Sequence, residues 1–480
     1  MRAARRIAGN TAVIIAGKAL GLGLSLAIVF QLTGRLSVAE FGQYNFVFFY
    51  VGMFSVLVEM GMSPILVREM ARDRRQAGEI LGTGVLIKIV LALLSFLAAL
   101  VVLPAVTLDR LVWRLVFILG WQLFSYPLLT CVNIYKLELR MVYPTGFDLL
   151  RNGIYLAGVW YVLRTPALGL AHLMALAVVL SFAVAVVLYG LSRRYVEIRF
   201  RYRPGLARRL VKASVPLGLS QLAIICYYRV DTMMLLRMKG EEALGYYALA
   251  VKVAEVFSYL PAAFMVSVYP YLSRFWEESR EKFLGATELS GRALLAVGLP
   301  VGIMGSLFAG QIVSIVPGAY GPSAASLRFL IWAEVFIFVN TALYNVLNAM
   351  NQERWNLWTT LVMLAGNVAL NLALIPRYSH PGASFATLVT EALGFVFLAG
   401  VMLKLVGFRL KLGRLARIVL AGGVLAFALW VGFHQRPLPF ASALIVMFLG
   451  SVAYAVLLYL LKVIDVREIR NLLQPSGYES

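Results

Sequence analysis

Long apolar stretches separated by short polar segments run along almost the entire chain. A helix of about 20 apolar residues crosses the roughly 30 Å hydrocarbon core of a bilayer. Apolar runs near this length are predicted to form transmembrane helices at 10–32, 42–63, 80–103, 112–133, 146–163, 167–190, 213–237, 244–270, 286–310, 324–350, 357–375, 382–405, 416–433 and 439–462. The pattern therefore predicts an all-α, polytopic membrane protein of about 14 transmembrane helices. The first run follows the basic segment MRAARRIAGN and is expected to remain as a helix, because no A-x-A-like cleavage site ends it.

Lys and Arg residues are concentrated in alternate connecting segments of this pattern. Under the positive-inside rule, both termini are predicted to be cytoplasmic, in a protein that spans the cytoplasmic (inner) membrane. The chain has a formal net charge of +21 but only 14% charged residues, compared with about 25% in soluble proteins. The charge is therefore interpreted as setting topology and attracting anionic membrane lipids, and nucleic acid is not expected as a partner.

Two segments of the chain resemble each other. Residues 39–68 align with residues 242–274, and Gly42 matches Gly245 in this alignment. Internal repeats around a central site are typical of secondary transporters. The repeat predicts four parts in chain order: an N-terminal six-helix bundle at 1–190, a basic cytoplasmic linker at 191–212, a C-terminal six-helix bundle at 213–405, and two extra helices with a cytoplasmic tail at 406–480. A cavity is expected between the two bundles.

Five stretches carry a resemblance to a known family: GNTAVIIAGKALG, FGQYNFVFFY, DTMMLLRMKGEEALGYYALAVKVAE, LNAMNQERW and PGASFATLVTEALG. Together they make the chain similar to the polysaccharide (O-antigen-type) flippases of the multidrug/oligosaccharidyl-lipid/polysaccharide exporter superfamily. The resemblance implies two six-helix bundles around a central cavity, plus two C-terminal helices. It also implies that a lipid-diphosphate-linked oligosaccharide moves from the inner to the outer leaflet by alternating access, for cell-surface polysaccharide biosynthesis. An ion-coupled multidrug or cation antiporter of the same superfamily is the alternative, and a membrane glycosyltransferase or ligase is a more distant one.

Charged residues inside the predicted helices are the candidate site residues, because a charge in the hydrocarbon costs at least a few kcal/mol. The candidates for binding the substrate diphosphate are basic: Lys18, Lys88, Arg151, Arg229 and Lys252. Arg offers forked hydrogen bonds to phosphate, and Lys offers a point charge. The candidates for binding a coupling H⁺ or Na⁺ are acidic: Glu255, Glu334, Glu391 and Asp231. Few acidic residues lie deep in the first half, so its cavity is expected to be cationic, which favours an anionic substrate over a cationic drug.

Structural roles are the alternatives for the same charged residues. Gly17 and Gly21 flank Lys18 with the small-x-x-x-small spacing of closely packed membrane helices. Lys252 and Glu255 are three residues apart on one helical face, where they can neutralise each other. Long basic side chains near helix ends can also extend to the interface.

Motifs of hydrolytic and metal chemistry are absent from the sequence. There is no G-x-x-x-x-G-K-[ST] phosphate loop, so the chain is predicted not to be its own ATPase, and no H-E-x-x-H segment occurs. The three histidines are scattered and both cysteines lie in apolar runs, so no metal, cofactor or disulfide is expected. The predicted outer loops are too short for a catalytic domain, and the protein is therefore expected not to be an enzyme.

Overall fold

The computed structural model describes residues 2–408, 412–433 and 438–463. Within these ranges the chain consists of helices and connecting loops, and it contains no strand. The prediction of an all-α, polytopic membrane protein is therefore confirmed. The predicted cytoplasmic tail after residue 463 lies outside the described residues, as does the loop at 434–437.

The described residues form a series of α-helices that packs into two compact units. In chain order the helices are α1 Arg2–Thr33, α2 Val38–Glu59, α3 Met62–Arg72, α4 Ala77–Val106, α5 Arg110–Gly120, α6 Tyr126–Leu129, α7 Val132–Leu137, α8 Val142–Val162, α9 Leu170–Ser192, α10 Pro204–Glu255, α11 Tyr259–Glu278, α12 Arg280–Leu307, α13 Ala309–Ser314, α14 Ser323–Ala349, α15 Glu353–Val406, α16 Leu412–Phe433 and α17 Phe440–Leu460. The first unit ends at Gly245 and the second begins at Tyr246. The predicted domain boundaries at residues 190, 212 and 405 stay predictions.

Eleven helical stretches of the described chain are long and apolar enough to cross a membrane. Two of them exceed the length of one crossing: Pro204–Glu278 has 75 residues and Glu353–Val406 has 54. Each contains a residue with non-helical backbone angles, which is Gly240 (φ 83°, ψ −173°) in the first and Ser379 (φ 56°, ψ −139°) in the second. Both residues lie in short gaps between the apolar runs that the sequence predicts as separate helices.

The helix α15 folds back on itself at Ser379. The Asn367 amide donates a hydrogen bond to Thr390 Oγ1 (3.5 Å) across 23 residues of sequence, and Gly394 lies against the side chain of Met363. A straight helix would separate residues at that spacing by about 35 Å, so these contacts require two antiparallel helices. Because this one stretch holds two helices, eleven is not the number of separate helices, and the predicted number of 14 stays a prediction.

Glycine permits a close backbone contact between α2 and α10 within the first unit. A Cβ on Gly42 would overlap the carbonyl oxygen of Glu241, and a Cβ on Gly245 would overlap that of Val38. Small residues allow helix backbones to approach in membranes, where packing rather than the hydrophobic effect drives helix association. The two glycines that are aligned in the sequence repeat therefore lie at the same helix–helix contact.

The basic linker is held against the start of α4. It is non-helical between α9 and α10, at residues 193–203. The Arg199 N–H donates a hydrogen bond to the Gly78 carbonyl (3.1 Å), and the Arg203 guanidinium pairs with the Glu79 carboxylate (2.9 Å). Part of the linker's charge is therefore used inside the first unit, and its contact with anionic headgroups stays a prediction.

Candidate transport site

Lys88 lies in a buried ion pair of the first unit. The helix α4 carries it about 16 Å from the helix start, and its side chain is 1% exposed. The Lys88 Nζ lies 2.5 Å from Glu59 Oε2 at the end of α2, and Glu59 Oε1 accepts a hydrogen bond from the Ser63 N–H (3.0 Å). A carboxylate thus balances the buried ammonium, which is the structural role, and substrate binding by Lys88 stays a prediction.

Lys18 has a different environment on α1. A Cβ on Gly17 would overlap the Thr145 side chain of α8, and one on Gly21 would touch Leu149. The glycine face therefore packs against α8. Lys18 itself is exposed, and it makes no hydrogen bond or ion pair with any of the described side chains. Helix packing thus leaves the Lys18 ammonium available to a ligand.

The two arginines predicted to bind substrate lie on other helices of the first unit. Arg151 Nη1 is 3.5 Å from Asp148 Oδ1, one turn earlier on α8, and both side chains are at least partly exposed. The Arg229 Cζ lies 4.1 Å from the centroid of the Phe49 ring, which is a cation–π contact. Neither contact encloses the guanidinium completely, so both arginines retain hydrogen-bonding capacity for an anion.

Three of the predicted ion-binding residues come together in the second unit. The helix α10 ends at Glu255, and α11 begins after a short turn that contains Ser258. The Ser258 hydroxyl donates to Glu334 Oε2 (2.7 Å), and the Asn340 amide donates to Glu391 Oε2 (3.0 Å). Glu334 and Glu391 are 4% and 2% exposed, and Glu334 is near enough to Glu391 and Glu255 to repel them electrostatically.

The remaining predicted residues do not join this group in the same way. Lys252 Nζ lies 4.0 Å from Glu255 Oε2, which is the pairing that the spacing of three residues indicates. Asp231 belongs to the first unit, where it is buried. Its Oδ1 accepts hydrogen bonds from the N–H and the hydroxyl of Thr232 (2.6 Å and 3.3 Å). The predicted binding roles of Lys252 and Asp231 stay predictions.

Uncharged partners of the acidic residues are missed by the sequence analysis. Ser258 follows a helix break, and Asn340 lies inside a long apolar helix, so no spacing rule connects either of them to an acid. A second buried polar chain joins Asn371 to Asn367 (2.7 Å) and Asn367 to Thr390 (3.5 Å) in α15. The i, i+4 spacing of the two asparagines is a signal that could have found this chain, since buried amides require partners.

The described side chains suggest ion and anion binding rather than metal chemistry. No group of three or more His, Cys, Asp or Glu residues that could hold a metal ion occurs in the part of the chain that the structure describes. Buried carboxyl groups with hydroxyl and amide neighbours can bind a proton or a sodium ion. Partly exposed ammonium and guanidinium groups can bind an anion.

Two family profiles match the chain. The profile described as "Polysaccharide biosynthesis protein" matches residues 7–276, which is more than half of the sequence. A profile described as "MatE" matches residues 216–373. The chain therefore belongs to the polysaccharide biosynthesis protein family, and the resemblance found in the sequence is confirmed.

Two curated relatives are named as flippases of Haloferax volcanii. The chain is 24% identical over 228 residues to the probable flippase AglR, and this match covers 46% of the chain and 47% of AglR. The chain thus spans about half the length of that relative. It is 19% identical over 474 residues to Agl15, a probable low-salt glycan biosynthesis flippase, which covers 95% of the chain and 96% of Agl15. These names describe transporters rather than enzymes.

Solved structures of transporters share the fold. The inward closed conformation of the lipid II flippase MurJ superposes with a TM-score of 0.77 at 14% identity, covering 94% of this chain and 98% of MurJ. A multidrug resistance MATE transporter of the MOP superfamily, in an inward-facing conformation, gives a TM-score of 0.66 at 15% identity, covering 80% and 94% of the two chains. At such identities the likeness shows a common fold and no more.

Proposed function

We propose that the protein is a flippase that moves a lipid-diphosphate-linked oligosaccharide from the inner to the outer leaflet of the cytoplasmic membrane by alternating access. Cell-surface polysaccharide biosynthesis is the process it serves, and both termini are cytoplasmic. The near full-length likeness to a probable glycan biosynthesis flippase carries this proposal. The membership of the polysaccharide biosynthesis protein family supports it.

The basic residues of the first unit support an anionic substrate. Lys18, Arg151 and Arg229 lie on three different helices and are all at least partly exposed. A diphosphate that leaves water loses hydration, and only cationic hydrogen-bond donors replace it at an acceptable cost in free energy. In this proposal these residues, with Lys88 and Lys252, bind the diphosphate while the lipid chain remains in the bilayer.

The acidic group of the second unit supports coupling to an ion gradient. Glu334 and Glu391 are buried close together, and each accepts one hydrogen bond from an uncharged partner. Two nearby buried carboxylates repel each other, so binding of a proton or Na⁺ to the group relieves that repulsion. In this proposal Glu255 and Asp231 complete the set of residues that respond to the ion.

Replacing Glu391 with Gln is expected to abolish stimulation of transport by an imposed proton or sodium gradient, because Gln keeps the shape but cannot ionise. The measurement is the flipping rate of reconstituted vesicles with and without each gradient, while substrate binding is followed separately. Glu353→Gln, at the exposed start of α15, is the matched control and should respond like the parent. Coupling through this group is rejected if Glu391→Gln and Glu334→Gln both keep the full gradient response.

The second candidate function is an ion-coupled multidrug or cation antiporter. The MatE profile match over residues 216–373 and the fold shared with a multidrug transporter favour it. The partly exposed cations of the first unit oppose it, because a cationic drug would be repelled there. A membrane glycosyltransferase or ligase has no comparable support, since the names of the similar proteins are those of transporters.

One reconstitution experiment separates these functions. The full chain is placed in vesicles that contain a polyprenyl diphosphate with a fluorescent sugar, and an impermeant quencher reports the leaflet in which the sugar lies. The protein is expected to raise the rate of exchange between leaflets at least about tenfold over protein-free vesicles. The same vesicles should not accumulate a fluorescent organic cation. Accumulation of the cation without exchange of the lipid would establish the antiporter instead.

A further inference from the structure

An apolar cavity lies inside the second unit, beside the C-terminal helix α16. It is formed by α12, α14, the second half of α15 and α16, and its volume is about 390 Å³. Leu299, Trp332 and Phe395 are among the aliphatic and aromatic residues that line it. This size falls within the range of about 300–1,000 Å³ that is usual for small-molecule sites. The cavity is therefore large enough for an apolar chain.

One end of this cavity is charged. Glu288 Oε1 lies 3.8 Å from Arg292 Nη1 and 3.4 Å from Arg414 Nη1. Arg292 is 3% exposed, and all three side chains line the cavity. Two guanidinium groups face a single carboxylate among the described lining residues, so this end carries an excess of positive charge. An amphiphile with an anionic head and an apolar chain matches both ends.

The charged end lies on the side that is predicted to be cytoplasmic. The helix α12 begins at Arg280, in a segment that the distribution of basic residues places inside. Leu299 lies seven residues beyond Arg292, which corresponds to about 10 Å deeper along the helix. Basic pockets between transmembrane helices on the cytoplasmic side bind the headgroups of anionic lipids. The orientation of the cavity thus fits a lipid of the inner leaflet.

We propose that the cavity binds a membrane phospholipid with an anionic headgroup. The phosphate lies between Arg292 and Arg414, and one acyl chain occupies the apolar part between α14 and α16. Val335 lines the cavity, whereas the neighbouring Glu334 does not, so this site is separate from the acidic group described above. The bound lipid joins α16 to the rest of the second unit. The proposal does not depend on the transported substrate.

The test compares phosphatidylglycerol with phosphatidylcholine of the same acyl chains, added to the purified full chain in detergent. Phosphatidylglycerol is expected to raise the melting temperature by about 3 °C or more beyond phosphatidylcholine. Native mass spectrometry should detect one retained phosphatidylglycerol molecule. Gly291→Leu fills the cavity, because a Cβ on Gly291 meets no atom within 4 Å. This variant and Arg414→Gln should both lose the selective shift and the retained lipid.

Two variants on α16 are the matched controls. Gly423 also has open space for a Cβ but does not line the cavity, so Gly423→Leu should behave like the parent. Arg417 donates to the Leu461 carbonyl (3.2 Å) rather than to the cavity, so Arg417→Gln should keep the lipid response. Equal responses of Gly291→Leu and the parent would overturn the site, as would equal binding of both phospholipids. Displacement of phosphatidylglycerol by polyprenyl phosphate would assign the cavity to the transported lipid instead.

Discussion

Lys18→Gln is expected to lower glycan export by about tenfold or more, since a hydrogen bond to a charged group contributes about 1.5–3 kcal/mol. Lys18 is exposed within the apolar helix α1 and pairs with none of the described side chains. The packing of α1 on α8 depends on Gly17 and Gly21, so the substitution should leave folding and membrane insertion intact. Surface polysaccharide, measured at matched membrane levels of the protein, is the readout.

The control variants for this prediction separate charge from side-chain shape. Lys18→Arg keeps the positive charge and should retain more export than Lys18→Gln. Arg114 is another exposed basic residue within an apolar helix, but it is not among the proposed substrate ligands, so Arg114→Gln should export normally. If Lys18→Gln matches the parent, the cationic site is not used in this way, and the antiporter alternative gains support.

Glu59→Gln is expected to reduce the free energy of unfolding by about 3–5 kcal/mol, because it leaves the Lys88 ammonium buried without its carboxylate partner. Lys88 is 1% exposed and has Glu59 at 2.5 Å. The free energy of unfolding in detergent, from equilibrium denaturation, measures the effect. Glu197→Gln in the linker is the control, and it should change stability by less than about 1 kcal/mol because its partner Arg199 is exposed.

A double variant tests whether charge is the cause of this loss. Glu59→Gln combined with Lys88→Met removes both charges, and it should recover most of the stability because a buried ion pair can be replaced by apolar groups at little cost. If the double variant is as unstable as Glu59→Gln alone, packing at this position rather than charge balance explains the loss. Lys88→Met alone leaves Glu59 only 28% exposed and should also be destabilising.

Local pattern was sufficient to predict most helices of this chain. The predicted run at 80–103 corresponds to α4, Ala77–Val106. The runs at 357–375 and 382–405 correspond to the two halves of α15, on either side of Ser379. The run at 112–133, in contrast, contains α5, a 3₁₀ turn and α6. Its apolar composition is continuous across those elements, so hydrophobicity gives no indication of the irregular backbone.

The site was predicted less completely because its contacts join distant parts of the sequence. Lys252 and Glu255 are three residues apart, and helical geometry alone predicts their pairing. The partner of Lys88 was not predicted, because that contact depends on how α2 and α4 pack. Ser258 donates to Glu334 across 76 residues, a separation over which no periodicity applies. Residue type therefore identified the charges, and only packing identifies their neighbours.

The sequence separation of the ion pairs sets an order for synthesis at the ribosome. Glu59 precedes Lys88 by 29 residues, so the carboxylate is already present when α4 emerges. Glu288 and Arg414 are 126 residues apart, and α13, α14 and α15 are all translated between them. A nascent chain that has not reached Arg414 has only Arg292 beside this carboxylate. The second arginine, and with it the positive end of the cavity, is added only in the final stage of translation.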